Sequence, residues 1–306
     1  MKTSISFSDG RPIGIVNNGK YKNKIVGILE GEPKESNKVP HKLDKEFFDS
    51  LNRKKYGRIT ALTKEKLKKY LKRKTRPEGT LGEMYDEAMI YYKDGQNKSI
   101  EIFDGEIEPV PHPTKRECLY VAGPSGSGKS TYVSKYAKNF LKLFPDRELV
   151  LFSKVDDDEC LDELEPSRIK INEDLIEEPL TAEEFEDCLV IFDDTDTISN
   201  KKLRDAITNL KEDILETGRH FNTYCIITSH LINNYKETRK VLNECHSITM
   251  FPSSGSAHPI RYCLKNNVGL SKKDIDKVFK LPTRWVTAYK HYPQAIMYSS
   301  GAYLLG

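Results

Sequence analysis

The spacing of hydrophobic residues divides the sequence into two parts that meet near residue 115. In the first part, apolar runs at Ile13–Val16 and Ile25–Leu29 predict short strands, separated by the turn signal Asn17-Asn18-Gly19. Helical periodicity predicts three later helices: Leu43–Lys55, Thr63–Lys74 with Thr63 as N-cap, and Gly79–Tyr92. Prolines at 109, 111 and 113 favour a stiff, extended connector. We therefore predict a smaller α+β N-terminal domain over residues 1–115 and a second domain over residues 116–306.

In the second part, short apolar runs alternate with helices. The predicted strands are Cys118–Ala122, Leu149–Ser153, Ile169–Ile171, Leu189–Phe192 and Tyr224–Thr228, and the predicted helices are Lys129–Leu143 and Lys201–Glu216. Compact apolar strands between helices indicate a buried parallel sheet with helices on both faces, an α/β fold. Towards the end of the chain we predict four more strands around the helix Lys272–Lys280: Ser247–Phe251, Arg261–Leu264, Trp285–Tyr289 and Ala295–Tyr298.

The amino-acid composition is that of a globular protein and not of a membrane protein. The 306 residues are 37% hydrophobic and 31% charged, enough apolar content for a core in a charge-rich chain. No apolar run reaches the ~18–20 residues of a membrane-spanning helix, so we predict no membrane insertion. The N-terminus lacks a signal-like apolar stretch, and the six cysteines form no CxxC pair. We expect reduced thiols and a cytoplasmic location.

Charge is segregated along the chain although the net charge is only +3. Residues 41–76 hold 14 basic and 4 acidic residues, residues 146–187 hold 4 and 17, and residues 200–306 hold 16 and 8. The basic blocks could bind a polyanion, with Tyr56 stacking on a base, or they could be solvated helix faces with Tyr70 packed inward. The acidic run Asp156-Asp157-Asp158-Glu159 is interpreted as an exposed loop rather than a metal site.

The strongest motif follows the strand Cys118–Ala122 and opens the next helix: Gly123-Pro124-Ser125-Gly126-Ser127-Gly128-Lys129-Ser130-Thr131. It matches the phosphate-loop pattern GxxxxGK[ST] in the strand-to-helix context that the motif requires. Glycines let backbone N–H groups wrap phosphates, and the helix N-terminus adds a positive dipole end. We predict that this loop binds the triphosphate of ATP, with Lys129 on the β- and γ-phosphates and Ser130 on Mg²⁺.

Two carboxylates end the apolar strand Leu189–Phe192, at the sheet edge where α/β proteins bind ligands. We expect Asp193 to complete the magnesium site with Ser130, and Asp194 to orient and polarise the attacking water. An Asp-capped turn is the alternative interpretation. ATP is favoured over GTP because the sequence lacks an Asn-Lys-x-Asp guanine motif.

A third element comprises residues 217–230, where a helix ends and the apolar strand Tyr224–Thr228 follows. Ser229, at the tip of this strand, could hydrogen-bond the γ-phosphate or water. Arg219 is a candidate arginine finger, in its own site or in a neighbour's, or a cation that only favours the helix C-terminus. His230 could contact nucleotide or be a polar loop residue.

The motifs described above, taken together, are similar to those of a known group of proteins. The phosphate loop, LVIFDD, Gly-Arg-His before a strand ending in Thr-Ser-His, and the later ECHSITMFP resemble the FtsK–HerA group of DNA-pumping ATPases, above all the poxvirus-type DNA-packaging ATPases of large DNA viruses. The resemblance covers about residues 116–304. It implies a RecA-like core with strand order 5-1-4-3-2 and a ring of subunits that hydrolyse ATP at their interfaces. It also implies that Lys129, Ser130, Asp193, Asp194, Ser229 and Arg219 act as assigned above.

The expected function is thus an ATP-driven motor that translocates double-stranded DNA as a homo-oligomeric ring, in viral genome packaging. Two departures from the group bear on this expectation: Asp194 stands where many members have Glu, and Ser229-His230 where cellular members often have Gln. Two alternatives remain open, a P-loop kinase of a nucleotide or nucleic acid and a nucleotide-dependent scaffold that does not hydrolyse. No resemblance covers the first 115 residues.

Overall fold

The computed structural model describes residues 3–7, 9–31, 48, 51, 56–57, 59–96, 98–233 and 238–305, without the side chains of 90–96. The helix predicted over Leu43–Lys55 lies outside the described residues except at positions 48 and 51. No described helix is long and apolar enough to cross a membrane.

The strands, in chain order, are β1 Thr3–Ser6, β2 Arg11–Val16, β3 Ile25–Glu30, β4 Ser99–Glu101, β5 Ile107–Pro109, β6 Cys118–Ala122, β7 Leu149–Ser153, β8 Ser167–Ile169, β9 Leu189–Asp193, β10 Tyr224–Ser229, β11 Ser247–Met250, β12 Val286–Tyr289, β13 Ala295–Tyr298 and β14 Gly301–Leu304. The described helices are α1 Ala61–Arg73, α2 Gly79–Gln96, α3 Lys129–Leu143, α4 Glu159–Asp162, α5 Asp174–Glu177, α6 Lys201–Thr217, α7 Arg239–Glu244, α8 Ala257–Asn266 and α9 Lys272–Val278. Short 3₁₀ turns occupy Ala182–Phe185 and Thr195–Thr197.

The centre of the large sheet is parallel, in the order β11-β6-β10-β9-β7. When only these five central strands are numbered in chain order, the order is 5-1-4-3-2. The predicted RecA-like order is therefore confirmed. Strand β8 extends the parallel set beyond β7, and β12, β13, β14 and β4 continue the sheet on the other side as antiparallel strands. The carboxyl ends of the five central strands therefore share one edge, which positions the site.

Helices cover both faces of this sheet because successive strand residues point to opposite sides. On β9, Leu189 and Ile191 pack with helix α3, whereas Val190 and Phe192 pack with helix α6. Every residue of the central strands is buried, as expected for a parallel sheet covered on both sides.

Two local predictions are wrong. The segment Arg261–Leu264 is part of helix α8 rather than a strand, because Ile260, Cys263 and Leu264 are buried at i, i+3 and i+4. Helix α1 begins earlier than predicted, since the N-cap is Thr60, whose side chain accepts from the backbone N–H of Thr63 at 3.2 Å.

The N-terminal strands form a second, antiparallel sheet in the order β1-β3-β2-β5. Its apolar side chains share a core with the antiparallel end of the large sheet, where Ile13 and Val26 pack in one cluster with Met297 and Ala302. Strand β4, although it lies before residue 115, pairs with β14. The domain division at residue 115 stays a prediction.

Helices α1 and α2 pack on each other around Leu67, Met84 and Ala88. Tyr70 packs against this cluster, as predicted by the interpretation of the basic block as a solvated helix face. The hydroxyl of Tyr56 donates a hydrogen bond to the carboxylate of Glu87, which ties the tyrosine to helix α2.

Candidate nucleotide-binding site

The phosphate-loop sequence forms the turn between β6 and α3, at the carboxyl edge of the parallel strands. Gly128 has φ +108°, a left-handed conformation that favours glycine. A Cβ on Gly123 would lie 2.6 Å from Phe251 Cδ2 and 2.7 Å from Ser127 Oγ. The turn therefore needs glycine both for its backbone conformation and for its close approach to Phe251.

Lys129 is held inside this turn, with only 6% of its side chain exposed. Its ammonium donates to the carbonyl oxygen of Gly123 at 3.1 Å and lies 3.3 Å from Asp194 Oδ2. The loop lysine and the second carboxylate of β9 thus meet, as the sequence predicted. A cation in this position faces the space where the loop would hold phosphates.

Asp193 is buried at the end of β9, and its two carboxylate oxygens face hydroxyl groups. Thr228 Oγ1 lies 2.9 Å from Oδ1, and Ser153 Oγ donates to Oδ2 at 3.3 Å. Burial and the neighbouring Asp194 raise the pKa of Asp193 above its usual value. A cation beside it would offset both effects.

The residues fit Mg²⁺ as P-loop proteins hold it. Magnesium commonly takes one or two protein oxygens and completes its shell with water and substrate phosphates. Asp193 and Ser130 both line the same cavity, which supplies a carboxylate and a hydroxyl. No group of three or more His, Cys, Asp or Glu able to hold a metal occurs in the described part of the chain. Ser130 and Asp193 would therefore hold the ion together with the nucleotide.

Asp194 leaves the strand in a left-handed conformation, with φ +44° and ψ +34°. Such a conformation is costly for a residue with a side chain and clusters at functional sites. Its backbone N–H donates to Thr228 Oγ1 at 2.8 Å, and its Oδ2 lies 3.0 Å from His230 Nε2. The same Oδ2 therefore faces two donors, Lys129 and His230.

The polar side chains at the end of β10 do not all point to the same side of the sheet. Ser229 Oγ donates to Asp196 Oδ2 at 2.6 Å, accepts from Leu231 N, and does not line the cavity around the phosphate loop. The prediction that Ser229 reads the γ-phosphate is corrected by this geometry. His230 lines the cavity instead, and Thr228 contacts the carboxylates, because alternate residues of a strand face opposite sides.

A cavity of about 790 Å³ opens above the loop, within the size range of ligand pockets. Sequence reasoning missed several of its lining residues: Lys154, Asp157, Asp158, Glu159, Cys160 and Arg284. The acidic run predicted to be an exposed loop therefore borders the cavity in part. Arg284 lies two residues before β12, and the pairing of β12 with β11 brings it here. No local sequence signal reports such a pairing.

Arg219 lies at the other end of the sheet. It follows helix α6 and precedes β10, whose six residues span about 17–20 Å before the phosphate-loop edge is reached. Its guanidinium faces His220, with Nε 3.4 Å from Nε2. Of the three roles left open from the sequence, action in its own site is excluded by this distance. Action in a neighbour's site and a role as a cation at the C-terminus of α6 both stay open.

No family model matches the chain. It is 45% identical over 210 residues to the uncharacterized protein V3 of Sputnik virophage, over 68% of this chain and 84% of that protein. Among solved structures it is similar to the genome-packaging NTPase B204 of Sulfolobus turreted icosahedral virus 2 with AMPPCP, at 15% identity and TM-score 0.42 over 62% of this chain and 98% of that one.

Two further solved structures are similar at the same level. The pCW3 conjugation coupling protein TcpA has 11% identity and TM-score 0.44, over 94% of this chain and 77% of that one. The type VII secretion ATPase EccC of Thermomonospora curvata has 12% identity and TM-score 0.43, over 66% and 28%. The strand order confirms the fold that the resemblance to the FtsK–HerA group implied, and the similar chains include a virophage protein and a viral genome-packaging NTPase.

Proposed function

We propose that this chain, which belongs to the family of protein V3 of Sputnik virophage, is an ATP-hydrolysing motor that translocates double-stranded DNA in viral genome packaging. The observation that carries the ATPase part is the 3.3 Å approach of the Lys129 ammonium to Asp194 Oδ2 inside one cavity. A phosphate-binding loop alone serves many proteins. A carboxylate aimed at the same space adds a group that can act on water.

Each polar group of the site has a separate task in this proposal. The backbone N–H groups of the loop and the Lys129 ammonium bind and neutralise the β- and γ-phosphates. Ser130 and Asp193 would hold Mg²⁺, which would neutralise charge on the phosphate oxygens. Asp194 orients the attacking water and accepts its proton, and His230 holds the Asp194 carboxylate in position.

The chain's own cations support the DNA part of the proposal. On helix α1, Leu67 is buried, and the opposite face carries five exposed cations: Lys66, Lys68, Lys69, Lys72 and Arg73. Glu65 is the only acid on this helix. Like charges at i, i+4, such as Lys68 with Lys72, destabilise a helix by about 0.2–0.5 kcal/mol per pair. Phosphates of a DNA backbone would neutralise this face.

A ring is part of the proposal because Arg219 lies too far from its own phosphate loop to act there. In a closed, head-to-tail ring, each subunit presents one face to the site of its neighbour. Arg219 would then stabilise the transition-state charge in the adjacent subunit. We propose that the assembly works in the host cytoplasm or at the virion.

ATPase activity of the full chain, with and without double-stranded DNA, tests the proposal together with a mass measurement of the assembly. We expect phosphate release that DNA stimulates, in an oligomer. Lys129→Ala should abolish nucleotide binding or turnover, whereas Asp194→Asn should retain binding and lose about 10²–10⁴-fold in turnover. Tight ATP binding without DNA-stimulated hydrolysis would contradict the motor.

The same measurements separate the two alternatives. A kinase would transfer the γ-phosphoryl group to an added nucleotide or nucleic acid, whereas a motor releases inorganic phosphate whether or not an acceptor is present. A scaffold that does not hydrolyse would keep its DNA-handling function in Asp194→Asn. Product analysis and this variant therefore give a different outcome for each of the three functions.

A further inference from the structure

A second cavity, of about 560 Å³, lies at the end of the central strands opposite to the phosphate loop. Glu117, just before β6, and His246, just before β11, form part of its wall. Arg11 of β2 and the turn between β12 and β13 form the other side. The cavity therefore lies where the N-terminal sheet meets the large sheet, and it shares no lining residue with the nucleotide site.

Three imidazoles line this wall, those of His112, His246 and His291, and the first two keep an Nε2 N–H as donor because their Nδ1 accepts a backbone hydrogen bond. His246 Nδ1 accepts from the backbone N–H of Cys118 at 2.9 Å, so the ring proton of the neutral imidazole is on Nε2. Burial lowers the pKa of His246 to about 4, which keeps the ring neutral near pH 7. His112 Nδ1 likewise accepts from the backbone N–H groups of Thr114 and Lys115, at 3.1 and 3.0 Å.

Only some of the N–H groups of the Arg11 guanidinium have hydrogen-bond partners. Its Nη2 donates to the carbonyl oxygens of His291 and Pro293, each at 3.3 Å. Its Nε is buried and has no hydrogen-bond partner among the described residues. A buried donor without a partner is costly, and because no solvent reaches this nitrogen, a ligand in the cavity would contact the other N–H groups of the guanidinium.

The charges around these donors favour an anion. Lys115 is exposed at the rim and forms no ion pair within the described part of the chain. Arg116 donates to the carbonyl oxygens of Ile214 and Leu215 near the end of helix α6 and adds positive charge. The carboxylates are Glu30 and Glu117. Glu117 Oε2 is already used, because it accepts from His112 N and from the hydroxyl of Tyr136. The charged side chains of the wall are thus three cations, Arg11, Lys115 and Arg116, and two carboxylates.

We propose that this cavity binds a phosphate group through Arg11, His112, His246 and Lys115. Guanidinium and imidazole N–H groups match phosphate oxygens in geometry, and the guanidinium stays charged at all physiological pH values. The group could belong to a free phosphate-bearing anion or to a DNA backbone, and both have the same chemistry at this site. The proposal uses no residue of the nucleotide site and does not rest on the proposed function.

Calorimetric titration of the full chain with inorganic pyrophosphate tests this site, in the Lys129→Ala background, which removes the phosphate-loop cation. We expect saturable binding that weakens at least tenfold in Arg11→Gln and severalfold in Lys115→Gln. Lys115 is exposed, so its substitution is compatible with folding even if Arg11→Gln proves unstable. Arg261→Gln, at an exposed pair with Asp276 elsewhere, is the matched control and should bind normally.

A short DNA duplex added as competitor identifies the source of the phosphate. Displacement of pyrophosphate by the duplex, with weaker duplex binding in Lys115→Gln, assigns the site to the DNA backbone. Pyrophosphate binding that the duplex leaves unchanged assigns it to a free anion. Absence of pyrophosphate binding in the Lys129→Ala chain, or binding equal in Arg11→Gln, Lys115→Gln and the control, overturns the proposal.

Discussion

The Thr228 hydroxyl contacts both the backbone N–H and the carboxylate of Asp194. The Thr228 hydroxyl oxygen accepts from the Asp194 backbone N–H at 2.8 Å and lies 3.1 Å from Asp194 Oδ1. The same hydroxyl lies 2.9 Å from Asp193 Oδ1. Because a hydroxyl has a single proton, it can donate to only one of the two carboxylates at a time. One buried side chain on β10 therefore sets the position of both acids on β9.

Thr228→Val should leave the core packed and impair catalysis. Valine keeps the shape but leaves the Asp194 N–H without a partner and removes the hydrogen bond that lowers the pKa of Asp193. We expect a turnover loss of about 10–100-fold, at about 1.4 kcal/mol per tenfold. Because Asp193 must be ionised to bind a cation, the acidic limb of the pH–rate profile should move to higher pH. Thr228→Ser should stay near wild type, and equal losses in both variants would contradict this role.

Arg219→Ala should reduce turnover only through the neighbouring subunit. Removal of an arginine finger costs up to about 10³–10⁵ in rate, with nucleotide binding retained. A mixture of Arg219→Ala with Lys129→Ala subunits should regain activity, because some interfaces then combine an intact Lys129 with an intact Arg219. Steady-state ATPase assays of each variant and of the mixture measure this. Activity that stays at the level of the separate variants would exclude Arg219 from a neighbour's site.

Cys160 should report on nucleotide binding. All six cysteines are free and five are buried, whereas Cys160 is partly exposed and lines the nucleotide cavity. A maleimide reagent should therefore label Cys160 first. A non-hydrolysable ATP analogue at about ten times its Kd should slow labelling about tenfold. Peptide mass spectrometry follows the reaction, with Cys160→Ser as the unlabelled control. Equal labelling rates with and without nucleotide would place the ligand outside this cavity.

Removing cations from helix α1 should weaken DNA binding and its dependence on salt. The combined change Lys66→Gln, Lys69→Gln and Arg73→Gln lies on the exposed face, and we expect the slope of log K against log [salt] to fall by up to about 3. Basal ATPase activity should persist. The matched control, Lys265→Gln with Lys272→Gln and Lys280→Gln, changes the net charge equally on α8, α9 and the turn after α9. Equal slopes in both triple variants would indicate an effect of net charge alone.

Glu117 should make the protein less stable as pH rises. Burial raises the pKa of Glu117 from 4.5 to about 7, so the folded state holds a proton that the unfolded state has lost between these values. The free energy of unfolding should fall by about 3 kcal/mol over that window, and Glu117→Gln should lack this part of the decrease. Urea unfolding of both proteins at pH 5 and pH 8 measures the difference. Parallel pH dependences would show that Glu117 titrates normally.

The sequence predicted the parts of the molecule that local patterns determine. Apolar runs of four to five residues identified the central strands, and the phosphate-loop motif fixed the orientation of β6 and α3. Lys129 was predicted from the phosphate-loop motif, and Asp193 and Asp194 were predicted because they lie at the end of an apolar strand. The order of the five strands came from the resemblance, because pairing between distant strands leaves no local signal.

The residues that the sequence missed depend on non-local contacts. Arg284 reaches the cavity because β12 pairs with β11, whose last residue is Met250, and Ser99–Glu101 of β4 pairs with the distant strand β14, Gly301–Leu304. Ser229 was preferred over Thr228 and His230 because the direction of each strand-tip side chain depends on the turn that follows. Arg261–Leu264 was interpreted as a strand because the window was too short to distinguish a 2-residue from a 3.6-residue period.

The pairing of β4 with β14 affects the stability of N-terminally truncated forms of the chain. A fragment that starts at residue 116 keeps the phosphate loop and all five central strands but lacks Ser99–Glu101, so the backbone groups of β14 that face β4 lose their partners. An unpaired edge strand can pair with a strand of a second molecule, which leads to aggregation or to artificial dimers. A shortened chain should therefore begin upstream of Ser99, or carry a lysine or proline on β14 to block pairing with another molecule.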